Sequence, residues 1–195
     1  MIRPMLPLTL LGACLLAFSG PARADRRYFV QSYTPYLGTA GDLEIETWAI
    51  AREGQGDSTN TAWETRVEFE HAITNRLTGA AYLNFTQSGD AGAPQRFDGP
   101  SLEVIYQIAE PGRLPIDPAA YLEVRENGQE LELEPKLLIG RRLEAWVAAA
   151  NVIGEFEYLH DAPSGGTDRV KRLELTLGVS REFGARLAVG IEGRY

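Results

Sequence analysis

The chain has 195 residues, 27 of them acidic and 19 basic, with a formal net charge of -8 and a mean hydropathy of -0.20. This length suits one domain. An acidic chain lacks the basic face of a nucleic-acid-binding protein, so nucleic acid is excluded as an expected partner. Beyond the N-terminus, no segment approaches the roughly 18 consecutive apolar residues of a membrane-spanning helix.

Residues 1–24 have the features of a secretory signal peptide. Arg3 provides a positive start, residues 5–18 form an apolar core, and residues 22–24 read Ala-Arg-Ala, a cleavage signal. We therefore expect export and a mature N-terminus at Asp25. The segment takes no part in the predicted fold.

Cleavage before Asp25 would remove Arg3, Arg23 and no acidic residue, which moves the formal net charge from -8 to -10. It would also remove Cys14, the one cysteine, so the mature protein is expected to have neither a disulfide nor a thiolate metal site. The alternative is a lipoprotein cleavage box at residues 11–14, with lipidation of Cys14.

Residues 25–41, which include Tyr28, Tyr33 and Tyr36, are predicted to form an extended lead-in of uncertain role. The folded domain is predicted to occupy residues 42–195.

Residues 63–73 alternate between two faces at a period of two, as expected of a β-strand. One face carries Trp63, Thr65, Val67, Phe69, His71 and Ile73, and the other Glu64, Arg66, Glu68, Glu70 and Ala72. The pattern recurs to the end of the chain and predicts nine strands, at 43–53, 62–73, 77–87, 99–109, 119–126, 130–140, 145–159, 172–181 and 186–195. Most are close to the 9 to 11 residues, roughly, that a tilted strand needs to cross a bilayer.

The connections between these strands alternate in length, as in bacterial outer-membrane barrels with short periplasmic turns and long outer loops. The short ones are 74–76, 141–144 and 182–185, and the long, polar ones are 54–61, 88–98 and 160–171. Two connections depart from this rule. Connection 110–118 is long although a short turn is expected there, and Asn127-Gly128 indicates a tight hairpin where a long loop is expected.

These patterns predict an all-β fold, an antiparallel up-and-down transmembrane β-barrel with about nine strands present, part of a 10–12-stranded barrel. Leucine and valine rows would face lipid, and in strand 145–159 the aromatic residues Trp146, Phe156 and Tyr158 fall near the two ends, where interfacial girdles lie. The expected location is the outer membrane of a Gram-negative cell, with its lipids as partners. Pro135 interrupts a strand, and a β-bulge is expected there.

Counting strand directions makes strand 186–195 run outward, whereas a bacterial barrel normally ends on a strand that returns to the periplasm. The expectation is therefore a chain truncated at Tyr195 that lacks one or three strands. The alternative is a complete ten-stranded barrel in which residues 27–34 form the first strand.

The face opposite the apolar rows would line the lumen. The lumen-facing candidates are thirteen carboxylates and six bases: Glu44, Glu46, Glu64, Glu68, Glu70, Glu103, Glu123, Glu132, Glu134, Glu155, Glu157, Glu174 and Glu192, with Arg52, Arg66, Arg125, Lys136, Arg172 and Arg194. This excess of acids predicts passive passage or binding of small solutes, with cations or hydrogen-bonding solutes preferred. One alternative is a structural barrel plugged by its own ion pairs. The oligomeric state is left open.

A soluble periplasmic barrel of the lipocalin type is a further alternative, because the sequence does not say which face is inside. An enzyme is not expected: only His71 and His160 are available, and a Gly-x-Ser-x-Gly motif is absent. His160 with Asp161 and Ser164 resembles a catalytic triad by composition alone. No cofactor is expected. No metal site is expected either, because the loop residues Asp57, Asp90 and Asp98 do not have calcium-loop spacing.

Several stretches resemble a family of proteobacterial outer-membrane β-barrels labelled by association with phenol-degradation (meta-cleavage pathway) operons. They are residues 41–48 (GDLEIETW), 68–78 (EFEHAITNRLT), 99–106 (GPSLEVIY), 121–123, 132–136 (ELEPK) and 151–152. The resemblance covers most of residues 28–195. It implies a barrel of about twelve strands that passes small molecules.

Overall fold

The structure, a computed structural model, describes residues 27–53, 61–90, 92–160 and 168–195. Nine antiparallel strands form one sheet in strictly sequential order, curled into a half-barrel. They are β1 (Leu43–Glu53), β2 (Thr61–Thr74), β3 (Leu77–Gln87), β4 (Arg96–Gln107), β5 (Asp117–Glu126), β6 (Glu130–Leu143), β7 (Trp146–Leu159), β8 (Asp168–Phe183) and β9 (Leu187–Arg194). The predicted all-β, up-and-down class is confirmed. Within the described ranges, no helix has the length and apolarity to cross a membrane.

The predicted strands match the observed ones closely. β1 and β3 have the predicted bounds, and the others differ by a few residues at their ends. The alternative in which residues 27–34 form the first strand of a ten-stranded barrel is wrong, because these residues lie outside the sheet. β1 and β9 are the two outer strands of the sheet among the residues that the structure describes.

The two ends of the sheet differ in their connections. At one end, called the turn end here, two-residue or three-residue turns follow β2, β6 and β8, and the longer connection 108–116 follows β4. The other end, called the loop end, has the connection 88–95 and the hairpin at Asn127-Gly128, where Gly128 has φ +83°, a backbone conformation that favours glycine. The predicted loops 54–61 and 160–171 lie largely outside the described residues.

The sheet has a convex face rich in exposed apolar side chains and a concave face on which most side chains are buried or half-buried. Leu173, Leu177 and Ile191 on the convex face are 72%, 62% and 78% exposed. Leu138 and Val147, in β6 and β7, are fully buried on the concave face. The period-two pattern fixes this division, because successive residues of a strand point to opposite faces.

Pro135 causes no β-bulge, so the expected bulge is wrong. The β6–β7 register is the same before it, where Leu133 lies opposite Phe156, and after it, where Lys136 lies opposite Ile153. Proline has no N–H, and the pairing simply omits the positions in between. The register shifts lie instead in the β2–β3 and β3–β4 pairs.

Candidate functional site

The residues before β1 line the inside of the half-barrel. This N-terminal segment, residues 27–41, runs along the concave face without joining the sheet. Near its start, the backbone amides of Val30, Gln31 and Ser32 donate to the carboxylate of Glu192 in β9, at 2.8 to 3.1 Å. One carboxylate therefore holds three consecutive backbone amides against the sheet.

Arg27 connects the segment to the opposite outer strand. Its guanidinium lies 3.4 Å from the centre of the Trp48 ring and 3.3 Å from the carboxylate of Glu46, both in β1. A cation over an indole face and beside a carboxylate gains from both interactions. The segment therefore contacts both outer strands of the sheet.

Asn151 in β7 pairs with the middle of the segment as a neighbouring strand would. The backbone N–H of Tyr33 donates to Asn151 Oδ1 at 2.7 Å, and Asn151 Nδ2 donates to the Tyr33 carbonyl at 2.9 Å. Thr176 in β8 also donates to Oδ1, at 3.0 Å. The buried amide thus satisfies both backbone groups of Tyr33 in the interior.

Two glycines on the concave face leave the space that the segment occupies. A Cβ atom on Gly140 would lie 2.5 Å from Cδ of Pro35, and one on Gly178 would lie 2.6 Å from the Phe29 ring. Both distances are shorter than any real Cβ contact, so a larger residue at either position would displace the segment.

The turn end of the concave face is an apolar core, whereas the sequence predicted a charged interior. It contains two clusters, packed under Tyr28, Tyr33, Tyr36 and Leu37 of the segment: Ile105, Ala119, Tyr121 and Leu138, and Phe29, Val147 and Ala149. Tyr36 donates to Asp117 at 3.0 Å. Burial, followed by this hydrogen bond and the charge of Asp117, raises the pKa of Tyr36 above its ordinary value, so its hydroxyl remains a donor at alkaline pH.

The charged part of the concave face lies nearer the middle and the loop end. Of the predicted lumen residues, Glu68, Glu103, Glu123 and Lys136 are buried, and Arg172 and Arg194 are exposed. The others are half-buried: Glu44, Glu46, Arg52, Glu64, Arg66, Glu70, Arg125, Glu132, Glu134, Glu155, Glu157, Glu174 and Glu192.

Cross-strand register aligns five of these carboxylates in one row across six strands. This acidic belt consists, in spatial order, of Glu44, Glu70, Ala80, Glu103, Glu123 and Glu134. Directly opposed residues of neighbouring strands have Cβ atoms only about 4.5–5.5 Å apart, so like charges in such a row repel. The belt therefore needs positive charge or hydrogen-bond donors nearby.

Lys136 is the most buried base beside the belt. Its ammonium lies 2.6 Å from Glu134 and stands over the rings of Tyr33 and Tyr121, at 4.1 and 3.9 Å from their centres. Arg66 lies 3.9 Å from Glu123. These two bases neutralise the β5–β6 end of the belt.

Two tyrosine hydroxyls form hydrogen bonds with the carboxylates in the middle of the belt. Tyr82 and Tyr121 both donate to Glu103 Oε2, the second at 2.8 Å. The Tyr121 hydroxyl also lies 2.8 Å from Glu123 Oε2. A tyrosine hydroxyl has one proton, so Tyr121 can donate a hydrogen bond to only one of the two carboxylates that it contacts. The other contact requires a proton held on a carboxyl group.

Two cavities lie along the charged part of the concave face. One, of about 100 Å³, lies between the N-terminal segment and β1, β2 and β4, and its walls include Ser32, Glu68, Glu70 and Glu103. The other, of about 250 Å³, lies toward the loop end and is called the outer vestibule here. Its charged lining consists of Glu64, Arg66, Asp98, Arg125, Glu132, Glu155 and Glu157.

Ion pairs compensate most of the charge in the outer vestibule. Arg125 contacts Asp98, Glu130 and Glu132 at 2.9, 3.3 and 2.5 Å. Arg172 contacts Glu155 and Glu157, and Arg52 contacts Glu64 at 2.7 Å. The paired vestibule thus differs from the 100 Å³ cavity, where Glu68, Glu70 and Glu103 form a group of carboxylates close enough to hold a metal ion, the one such group found among the described residues.

The histidines lie apart from this charged face. The His71 ring contacts the carbonyl of Asp42 at 3.1 Å, and the His160 ring lies 3.1 Å from Glu126. Asp161 and Ser164, the other members of the triad considered above, lie outside the described residues, as does Asp57. Asp90 bonds to Ser88 and Asp98 to Arg125.

Sequence reasoning missed the role of the N-terminal segment and the inward tyrosines. The position of Tyr82 and Tyr121 could have been found from parity, because Tyr121 shares the face of Glu123 in β5 and Tyr82 shares the face of the polar residues Thr78 and Asn84 in β3. The role of the segment had a weaker signal in the sequence. It consists of three tyrosines and Pro35 within the lead-in, together with glycines at inward positions of β6 and β8.

A family model described as a family of unknown function (DUF6662) matches residues 21–138, more than half of the chain. The chain belongs to this family. The matched range contains the N-terminal segment, β1 to β5 and most of β6. The description of DUF6662 gives no activity, source or location, so it adds no link to proteobacteria, the outer membrane or phenol degradation. No curated protein and no solved structure matches the chain.

Proposed function

We propose that this DUF6662 protein is an outer-membrane β-barrel protein whose acidic interior binds or passes small cationic or hydrogen-bonding solutes. The observation that carries the proposal is the orientation of the sheet, with apolar side chains on the convex face and polar ones on the concave face. Exposed rows of leucine, valine and isoleucine are costly in water and suited to lipid.

The same orientation favours the membrane over the lipocalin-like alternative. A lipocalin-type barrel places its apolar rows inward around a ligand. Here Leu102, Leu173 and Leu177 are 65%, 72% and 62% exposed, while the inward neighbours Glu103 and Thr176 are buried. The resemblance to outer-membrane barrels associated with phenol-degradation operons agrees with this proposal and leaves the solute open.

The solute preference follows from the charge of the concave face. Among the predicted lumen residues, carboxylates outnumber bases by thirteen to six, and rings of acidic side chains lower the barrier for cations. The outer vestibule supplies space next to this face, and it is lined by residues of β2 to β7. Small cations are therefore the preferred solute class.

A structural barrel without transport is the second candidate, and the N-terminal segment favours it. The segment packs on the apolar core at the turn end and contacts both outer strands. Small barrels fill their interiors with side chains. In this alternative the segment closes the lumen permanently, and the charged face serves only to hold it.

Membrane residence is tested by fractionating Gram-negative cells that express the full-length gene. We expect the protein in the outer-membrane fraction, extracted by detergent but not by high salt or carbonate. Its gel mobility should change on boiling, because a closed barrel resists unfolding by detergent at room temperature. Recovery in the soluble periplasmic fraction after osmotic shock would contradict the proposal and favour the lipocalin-like barrel.

Planar bilayers test solute passage with the purified full-length protein. We expect currents that prefer cations, and replacing both Glu68 and Glu134 by glutamine should reduce this preference, because both carboxylates lie on the concave face. The matched control replaces Glu53 and Glu110, which are exposed outside the lumen, by glutamine. Absence of conductance would favour the structural barrel, and anion preference would contradict the acidic lumen.

A further inference from the structure

Three carboxylates of the concave face converge on one point. Glu70 in β2 lies opposite Ala80 in β3, which lies opposite Glu103 in β4, and Glu68 is two residues along β2 from Glu70. The small side chain of Ala80 leaves the two flanking glutamates room to approach each other over the central strand. One oxygen from each of Glu68, Glu70 and Glu103 lies within 4.8 Å of the other two.

The bases of the concave face are engaged with other carboxylates. Their pairs in the described ranges include Arg27 with Glu46, Arg66 with Glu123, and Lys136 with Glu134. The contacts of the three converging carboxylates include hydroxyl donors, from Tyr82 and Tyr121 to Glu103. Hydroxyl groups stabilise a carboxylate without neutralising it. Three adjacent carboxylates of this burial are costly while all are charged, so they must either take up protons or bind positive charge.

Ser32 provides a second and independent sign of a ligand. It lies in the wall of the same 100 Å³ cavity, is 3% exposed, and its Oγ has no hydrogen-bond partner in the part of the chain that the structure describes. The backbone of Ser32 is held in place by β9, because its N–H donates to the carboxylate of Glu192 at 3.0 Å. A buried hydroxyl without a partner is costly, so a ligand in the cavity would relieve this cost.

We propose that Glu68, Glu70 and Glu103, together with the hydroxyl of Ser32, bind a divalent cation of the Ca²⁺ class. The donor atoms are all oxygens, most of them from carboxylates, which is the set that hard cations prefer. The carboxylates belong to the wall of the barrel and Ser32 to the N-terminal segment. The bound cation therefore links the segment to β2 and β4. This structural role is separate from the passage of solutes.

The test uses the purified full-length protein. It is kept in detergent micelles or in buffer, depending on which of the two preserves the far-ultraviolet circular dichroism spectrum of a β-protein. Ca²⁺ is titrated by calorimetry, with Mg²⁺ as a second arm, and thermal unfolding is followed with and without Ca²⁺. We expect one saturable Ca²⁺ site and a higher Tm in its presence. Because the measurement does not depend on the membrane, its failure is distinct from failure of the proposed function.

Variants assign the site. Glu70→Gln should weaken Ca²⁺ binding by about tenfold or more, since affinity follows the number of charged ligands. Without Ca²⁺ the same variant should have a higher Tm than the natural protein, because repulsion is relieved. Ala80→Leu keeps all three carboxylates but fills the space between them, and it should also weaken binding. The matched control is Glu174→Gln, a half-buried concave carboxylate 3.8 Å from Arg194, which should leave the affinity unchanged.

The proposal is overturned if the natural protein binds no Ca²⁺ saturably, or if Glu70→Gln and Glu174→Gln reduce the affinity equally. If Glu70→Gln fails to fold, Glu68→Gln replaces it with the same expectation. If both Glu70→Gln and Glu68→Gln have a lower Tm than the natural protein in the absence of Ca²⁺, the proposal is also contradicted. That result would show that the carboxylates stabilise the fold without an ion.

Discussion

Replacing Leu175 by arginine is expected to destabilise the membrane-inserted protein by about 2–4 kcal/mol, because a charged side chain at the bilayer midplane of a barrel is poorly solvated. Leu175 lies in the middle of β8, opposite Val152, and its side chain is 44% exposed on the convex face. The expectation depends on that face being in lipid, since the same arginine on a water-exposed surface would cost little.

The measurement is the free energy of unfolding in urea of the protein refolded into lipid vesicles. Glu174→Gln is the control, because it is adjacent in sequence but on the concave face, where it alters one pair with Arg194. We expect the control to cost far less than the arginine variant. Equal costs, or the reverse order, would mean that the convex face is not the lipid face.

The second large effect is expected from filling the two glycine positions under the N-terminal segment. Leucine at both Gly140 and Gly178 would collide with Pro35 and Phe29. Overpacking costs about 1–3 kcal/mol at each position, so the pair should shift the equilibrium between docked and released segment by about tenfold or more. The released segment leaves the concave face, and the lumen widens at the turn end.

Two measurements follow the release. Limited proteolysis should cut within residues 27–41 faster in the double variant than in the natural protein, and single-channel conductance should rise. Gly193→Leu is the matched control, since a Cβ on Gly193 would meet nothing within 4 Å. Faster proteolysis with unchanged conductance would show that the segment does not limit passage, whereas unchanged proteolysis would contradict the docking contacts themselves.

The strands and their two faces could be predicted from the sequence because both are local properties. Alternation at a period of two depends only on which side of the backbone each side chain lies, and it placed β1 at 43–53 and β3 at 77–87, as observed. The same parity assigned Leu173, Leu175 and Leu177 to one face and Glu174 and Thr176 to the other. Glycine after asparagine at 127–128 predicted a hairpin for an equally local reason, the positive φ at Gly128.

The path of residues 27–41 could not be predicted, because the segment has no period of its own and its partners are distant in sequence. Tyr33 binds Asn151, 118 residues away, through the backbone rather than through a recognisable side-chain pattern. The lone proline in β6 was misjudged for a related reason: omission of one pairing and insertion of a bulge look alike in sequence, and only the register with β7 distinguishes them.

The sequence by itself determined which glutamates share the concave face, and only the tertiary structure decided which of them meet. Parity places Glu68, Glu70 and Glu103 on one side of the sheet, but their convergence depends on the β2–β3–β4 register, on the small size of Ala80 between them, and on the burial of Ser32 from a separate segment. Register is fixed by long-range packing of whole strands, and a shift of two residues would keep every face and separate these carboxylates.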